Sequence, residues 1–106
     1  MPFSSMRWSP GAPSVPELDG EWDVQRLSGA LPPLVGIRKR IDGEGGATVL
    51  PGGLGAAFAV VGRELRYRPP FSMVVDVLEP DGDGWRGRAT VFGRTVGEFR
   101  MSRRAT

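Results

Sequence analysis

Lys39 is the first residue of this sequence whose position suggests chemistry. It alternates with Ile37 and Ile41 along a predicted strand, so a period of two puts its side chain on the apolar face. If that face lines a barrel, the buried ammonium needs an anion, which Asp76, Glu98 or a ligand carboxylate would supply. Because lysine is rarely buried, the favoured interpretation is that Lys39 lies at the strand end and extends into water.

Tyr67 and Asp76 are the other polar residues that lie within predicted strands containing apolar side chains. Tyr67 stands between Arg66 and Arg68, and the strand period predicts a core tyrosine flanked by two solvated arginines. Asp76 lies within a valine-rich strand and is expected to point outward. If it instead points inward near Tyr67, it becomes a candidate acid or base.

The chain contains no histidine and no cysteine. The usual general base near neutral pH, the commonest metal ligand, the thiol nucleophile and the disulfide are therefore excluded. Acid–base chemistry would rest on carboxylates or tyrosine, and no catalytic residue, cofactor or metal is predicted. The run Asp81-Gly82-Asp83-Gly84 is too short for an EF-hand and indicates a turn.

Arginines cluster on the last two predicted strands and could form a basic stripe that meets phosphates. The formal net charge is only +2, however, and Glu98 is expected opposite Arg88. A solvated outer face is the favoured interpretation, so nucleic acid is not an expected partner.

Glycine and proline divide the rest of the chain into short segments. Residues 1–16, rich in Pro, Ser and Gly, are predicted to form a flexible tail, 17–102 one domain, and 103–106 a basic C-terminal tail. The predicted strands are 21–27, 35–41, 47–50, 56–61, 64–68, 72–78, 85–91 and 95–102. One short helical turn within 30–34 or 54–58 stays open.

Sequential hairpins predict an all-β fold, an antiparallel up-and-down meander of seven to eight short strands that hides its edges by closing into a barrel. A small sandwich and a half-barrel completed by a second chain are the alternatives. The last hairpin also predicts a register. With Val91 opposite Thr95 and a three-residue loop, Gly87 faces Phe99, which separates the core face from the solvent face.

Gly20-Glu21-Trp22 heads the first predicted strand, and Gly-x-Trp followed by a β-meander resembles the calycin group of lipocalins and fatty-acid-binding proteins. The resemblance implies a barrel whose tryptophan closes one end. It also implies that an arginine of the last strand, Arg100 or Arg103, lies against that ring. A small apolar ligand, and no catalytic residue, is what the family implies.

The leading hypothesis is therefore a non-catalytic barrel that binds a small hydrophobic ligand in its interior. The predicted cavity-lining residues are Trp22, Ile37, Lys39, Phe58, Tyr67, Met73, Trp85 and Phe99. One alternative is a structural or interaction protein with a filled core, acting through dimerisation or its tail. The other is a small-barrel cyclase or isomerase using Tyr67 or Asp76.

The expected location follows from what the sequence lacks. No apolar run approaches the roughly 20 residues that span a bilayer, and residues 1–16 lack the apolar middle of a signal peptide. Together with the absence of disulfides, this predicts a cytoplasmic protein without a membrane span.

Overall fold

The computed structural model of the protein describes residues 17–30 and 36–104. These residues form eight antiparallel strands and no helix. The strands are β1 (Gly20–Gly29), β2 (Arg38–Asp42), β3 (Gly45–Val49), β4 (Gly55–Val61), β5 (Glu64–Tyr67), β6 (Val74–Asp81), β7 (Gly84–Val91) and β8 (Arg94–Arg103). Each strand pairs with the next, and β8 pairs with β1. The predicted all-β meander closing into a barrel is confirmed.

Alternating connections define two ends of the barrel. The upper end carries residues 30, 36 and 37 and the connections 50–54, 68–73 and 92–93. The lower end carries the connections 43–44, 62–63 and 82–83, residues 17–19 and Arg104. Because β8 closes against β1, neither the sandwich nor the half-barrel applies to the described residues. No helix found in the described ranges has the length and apolar character needed to cross a membrane.

Several predicted boundaries shift by a few residues. β2 begins at Arg38 rather than at residue 35, and residues 31–35 lie outside the described part of the chain. β6 continues through Pro80, which pairs with Trp85, because the lower turn needs only Gly82 and Asp83. The segment 54–58 forms no helical turn, because β4 begins at Gly55 directly after the irregular residue Leu54. The predicted tail 1–16 also lies outside the described residues.

The last hairpin has the predicted register along its body. Gly87 pairs with Phe99 and Arg88 pairs with Glu98. A Cβ at Gly87 would collide with the ring of Phe99, so glycine is what makes room for that ring in the core.

The predicted three-residue loop of the same hairpin is wrong. Val91 pairs with Arg94 across a turn at Phe92 and Gly93, both with positive φ of 51° and 80°. This backbone matches the right-handed strand twist better than a longer loop does. A register shift after Ala89 absorbs the extra residue of β8, which is why the body of the hairpin still pairs as expected.

The inward faces of the strands make one core, and its largest buried side chains belong to the lower half or the middle of the barrel. They are Trp22, Phe58, Leu65, Leu78, Trp85 and Met101. Opposite Phe58 on β3 is Gly46, where a Cβ would lie 2.7 Å from the ring. Small residues opposite large rings let the core fill without strain.

Candidate functional site

Trp22 closes the lower end of the barrel. Its indole Nε1 donates a hydrogen bond to the Leu18 carbonyl oxygen at 2.7 Å. The guanidinium carbon of Arg103 lies 4.2 Å from the indole centroid, a close cation–π contact. Arg103 also donates to the carbonyl oxygens of Asp19 (2.9 Å) and Glu17 (3.0 Å), so it ties the entering chain to the last strand.

The glycine before Trp22 has a steric reason. Gly20 has a φ of 125°, and a Cβ there would lie 2.6 Å from Nη1 of Arg103. Of the two arginines that could lie against Trp22, the structure therefore identifies Arg103. Arg100 instead donates from Nε to the Asp81 carboxylate at 3.2 Å.

Four polar side chains meet inside the barrel, and we call Lys39, Thr48, Tyr67 and Asp76 the polar cluster. Strand pairing explains the meeting, because Lys39 pairs with Thr48 across β2 and β3 and both point inward. Tyr67 pairs with Phe58, and Asp76 pairs with Leu65, which brings two more inward side chains to the same region.

The contacts within the polar cluster are short. Lys39 Nζ donates to Thr48 Oγ1 at 2.7 Å and to Tyr67 Oη at 2.8 Å. It also forms an ion pair with Asp76 Oδ2 at 3.0 Å. Tyr67 Oη donates to the same Asp76 oxygen at 3.0 Å, and Thr48 Oγ1 lies 2.5 Å from Tyr67 Oη.

Two expectations about these residues are corrected. Lys39 does not extend into water; it is 4 % exposed, and Asp76 is the anion that compensates its charge. Asp76 does not point outward; it is 3 % exposed and shares the inward face with Leu65. The physical reason is that Val75 and Val77, not Asp76, occupy the outer face of β6, where both line surface grooves.

The protonation states of the polar cluster follow from its contacts. Burial lowers the pKa of Lys39, but the charge of Asp76 and the contact with Tyr67 outweigh it and raise the pKa above its usual value. Burial raises the pKa of Tyr67, and the Lys39 charge offsets this only in part. At neutral pH Lys39 therefore keeps its ammonium charge, and Tyr67 stays a neutral phenol.

A count of hydrogen-bonding groups shows what the polar cluster can still bind. All three ammonium protons of Lys39 have partners, and Tyr67 gives its one proton to Asp76. The hydroxyl of Thr48 then donates to Tyr67. What remains is acceptor capacity, on Thr48 Oγ1 and on Asp76 Oδ1, which accepts no hydrogen bond from a described residue.

Aromatic rings surround the ammonium of Lys39. It lies 5.1 Å from the ring centroid of Phe99, 5.5 Å from that of Tyr67 and 5.9 Å from that of Phe58. Phe58 and Tyr67 pack edge to face with centroids 5.4 Å apart. The predicted residues Lys39, Phe58, Tyr67 and Phe99 are thus brought together at one level of the barrel.

The other predicted lining residues lie elsewhere. Trp22 and Trp85 fill the lower end, and Trp85 Nε1 is buried without a hydrogen-bond partner among the described residues. Ile37 and Met73 are half-buried at the upper end. Thr48 was not predicted, although a two-residue turn at Gly43 and Glu44 would have placed it opposite Lys39.

On the described outer face, an ion pair interrupts the predicted basic stripe. Arg86 donates from Nε and Nη2 to Glu98 Oε1, at 2.8 and 2.6 Å. A surface groove of about 280 Å³ runs over this pair. Within the described ranges, no group of three acidic, histidine or cysteine residues is placed to hold a metal ion.

Fold and site together define an eight-stranded, antiparallel, up-and-down barrel with a buried ionic cluster in its interior. Neither a protein-family model, nor a curated protein, nor a solved structure matches the chain. What the protein does is therefore argued from its own geometry.

Proposed function

We propose that this protein is a non-catalytic barrel that binds one small, mostly apolar molecule through its upper end. The position of the polar cluster carries this proposal. Below it, the interior is filled by fully buried side chains such as Leu78 and Met101. Above it, the inward residues Ala56, Val74 and Val91 are all half-buried. A ligand entering from above would meet apolar walls first and the polar cluster at its tip.

The chemistry of the polar cluster favours a neutral ligand with a hydrogen-bond donor. Lys39 already has its counter-ion in Asp76, so a ligand carboxylate would bring an uncompensated charge into the interior. The free capacity of the cluster is acceptor capacity, on Thr48 and Asp76. An alcohol or an amide N–H satisfies that capacity, whereas an ether or a ketone cannot.

The protonation states also support binding rather than catalysis. A general acid or base works best with a pKa near the working pH, but the pKa values of both Lys39 and Tyr67 are raised. Each therefore keeps its proton near neutrality. The contact of Arg103 with Trp22 adds support for a calycin-like binding protein, because it is the arrangement that the resemblance implies.

Calorimetric titration with three probes of matched length tests the proposal. We expect the full chain to bind n-octanol, and to bind methyl octyl ether and octanoate at least about tenfold more weakly near neutral pH. A Lys39→Met/Asp76→Leu variant, in which an apolar pair replaces the ion pair, should lose the preference for the alcohol over the ether.

The competing filled-core interpretation gives a different result. If none of the three probes binds, and native mass spectrometry of freshly purified protein shows the mass of the chain alone, the ligand proposal is overturned. Tighter binding of octanoate than of n-octanol would contradict the ligand class while leaving a binding function in place.

A further inference from the structure

Exposed apolar side chains concentrate at the upper end of the barrel. Phe92 is 81 % exposed, Leu54 73 %, Phe71 49 % and Leu50 41 %. They belong to three separate upper connections, so they are distributed around the upper end of the barrel and do not come from one segment of the chain. We call these four residues the apolar rim.

Phe92 is the most exposed member of the apolar rim and has an unfavourable backbone. Its φ of 51° lies in the left-handed region, which costs a residue with a Cβ and favours glycine or asparagine. The turn therefore carries a large apolar ring where fold stability alone favours a small polar residue. Because the ring is solvated, it adds nothing to the core, and together with the other exposed apolar side chains it forms a patch of the kind that marks interaction surfaces.

The charges at the two ends of the barrel differ in sign. The described part of the upper end, residues 30, 36 and 37 with the connections 50–54, 68–73 and 92–93, contains no Asp or Glu. Arg68 and Arg94 flank the apolar rim, are exposed, and form no ion pair with a described residue. Apart from Asp76 and Glu98, every acidic residue lies in the lower half of its strand or at the lower end.

We propose that the apolar rim docks on the surface of a membrane rich in anionic lipid, with the barrel axis upright and the lower end in water. Exposed rings and leucines flanked by arginines, without carboxylates, match the interfacial region of such a bilayer. A second copy of the chain is the poorer occupant. Two rims face to face would bring Arg68 and Arg94 of both copies together with no carboxylate between them.

Vesicle sedimentation of the full chain tests the docking, independently of the interior ligand. We expect binding to phosphatidylcholine vesicles with roughly one third phosphatidylglycerol, and much weaker binding to pure phosphatidylcholine. Phe92→Asn should lower the partition constant about tenfold. Arg94→Gln should lower it about fivefold on the anionic vesicles alone, with less effect at high salt.

The matched control is Val61→Asn at the lower end, where Val61 is 46 % exposed. It should leave the partition constant unchanged. The proposal is overturned if the wild-type chain does not bind anionic vesicles at low salt. It is equally overturned if Phe92→Asn binds them as tightly as the Val61→Asn control and the wild type do. It is also overturned if sedimentation velocity shows a dimer that Phe92→Asn dissociates, since the rim would then be a contact between copies.

Discussion

The lower and upper halves of this barrel are built from the same eight strands but differ in what fills them. The lower half holds large apolar side chains, and Trp22 with Arg103 closes it. The upper half holds half-buried side chains such as Ile37 and Val91. At its base lies the ion pair of Lys39 and Asp76, with the hydrogen-bonded hydroxyls of Thr48 and Tyr67. The lower half therefore supplies hydrophobic stability, whereas the polar cluster is where the proposed ligand would bind.

This contrast bears on the stability of a short chain. A domain of this size has a small margin of stability, so buried charge is tolerable only where the rest of the core compensates for it. Burying Lys39 and Asp76 as a pair costs desolvation free energy, and the hydrophobic burial of the lower half offsets that cost.

The largest expected effect is at the lower end. Trp22→Ala should reduce the free energy of unfolding by about 4 kcal/mol, because it leaves a cavity and removes the surface on which Arg103 packs. Urea unfolding measures it. Val91→Ala, at a half-buried position of the upper half, is the matched control and should cost about 1 kcal/mol or less. Equal losses at the two positions would refute the division into halves.

The second effect concerns the ion pair. Asp76→Asn should lower the free energy of unfolding by about 3 kcal/mol near neutral pH, because the ammonium of Lys39 stays buried without its anion. In the Lys39→Met/Asp76→Leu variant, stability should return to within about 1 kcal/mol of the wild type. A double variant as unstable as Asp76→Asn would mean that the pair itself stabilises the upper half.

The third effect is on the dependence of stability on pH. Folded Lys39 and Tyr67 both have a raised pKa, so they hold protons that the unfolded chain releases from about pH 10 upward. Their contribution is complete below about pH 10 and is lost as the pH rises through the folded pKa values. Urea titrations across that range should show falling stability, with a shallower fall in the Lys39→Met/Asp76→Leu variant. A flat profile would speak against the buried pair.

The smallest effect concerns the apolar rim. Phe92→Asn should raise the free energy of unfolding by about 0.5–1 kcal/mol, because asparagine tolerates the left-handed backbone of this turn. Thermal unfolding measures the gain, and Val61→Asn is the control at the opposite end. A destabilised Phe92→Asn variant would show that the exposed ring supports the fold, contrary to the claim that Phe92 adds nothing to the core.

The fold was predictable because turn residues and alternating strands agree along the chain. Inward and outward side chains alternate along the strands that carry Trp22, Phe58 and Phe99, as a period of two predicts. Gly46 and Gly87, which lie opposite Phe58 and Phe99, reinforce this pattern. The inward direction of Asp76 was not predictable from β6 alone. Valines lie on both sides of it, so the strand lacks a polar face, and only pairing with Leu65 fixes its direction.

Other differences have equally local causes. The extra residue of β8 is invisible in the sequence because a bulge leaves the pattern on either side intact. Lys39 was placed on the correct face, but the low frequency of buried lysine outweighed the periodicity. The expectation that lysine stays exposed failed here because its compensating anion, Asp76, comes from a strand distant in the sequence.

Nuclear magnetic resonance of the ¹⁵N-labelled full chain, titrated with n-octanol, tests the central claim most directly. We predict saturable amide shift changes in the upper half, at Thr48, Ala56 and Tyr67. Amides of the filled lower half, at Leu78, Trp85 and Met101, should not move. Changes centred on the lower half, or none up to the solubility of the alcohol, would contradict the account.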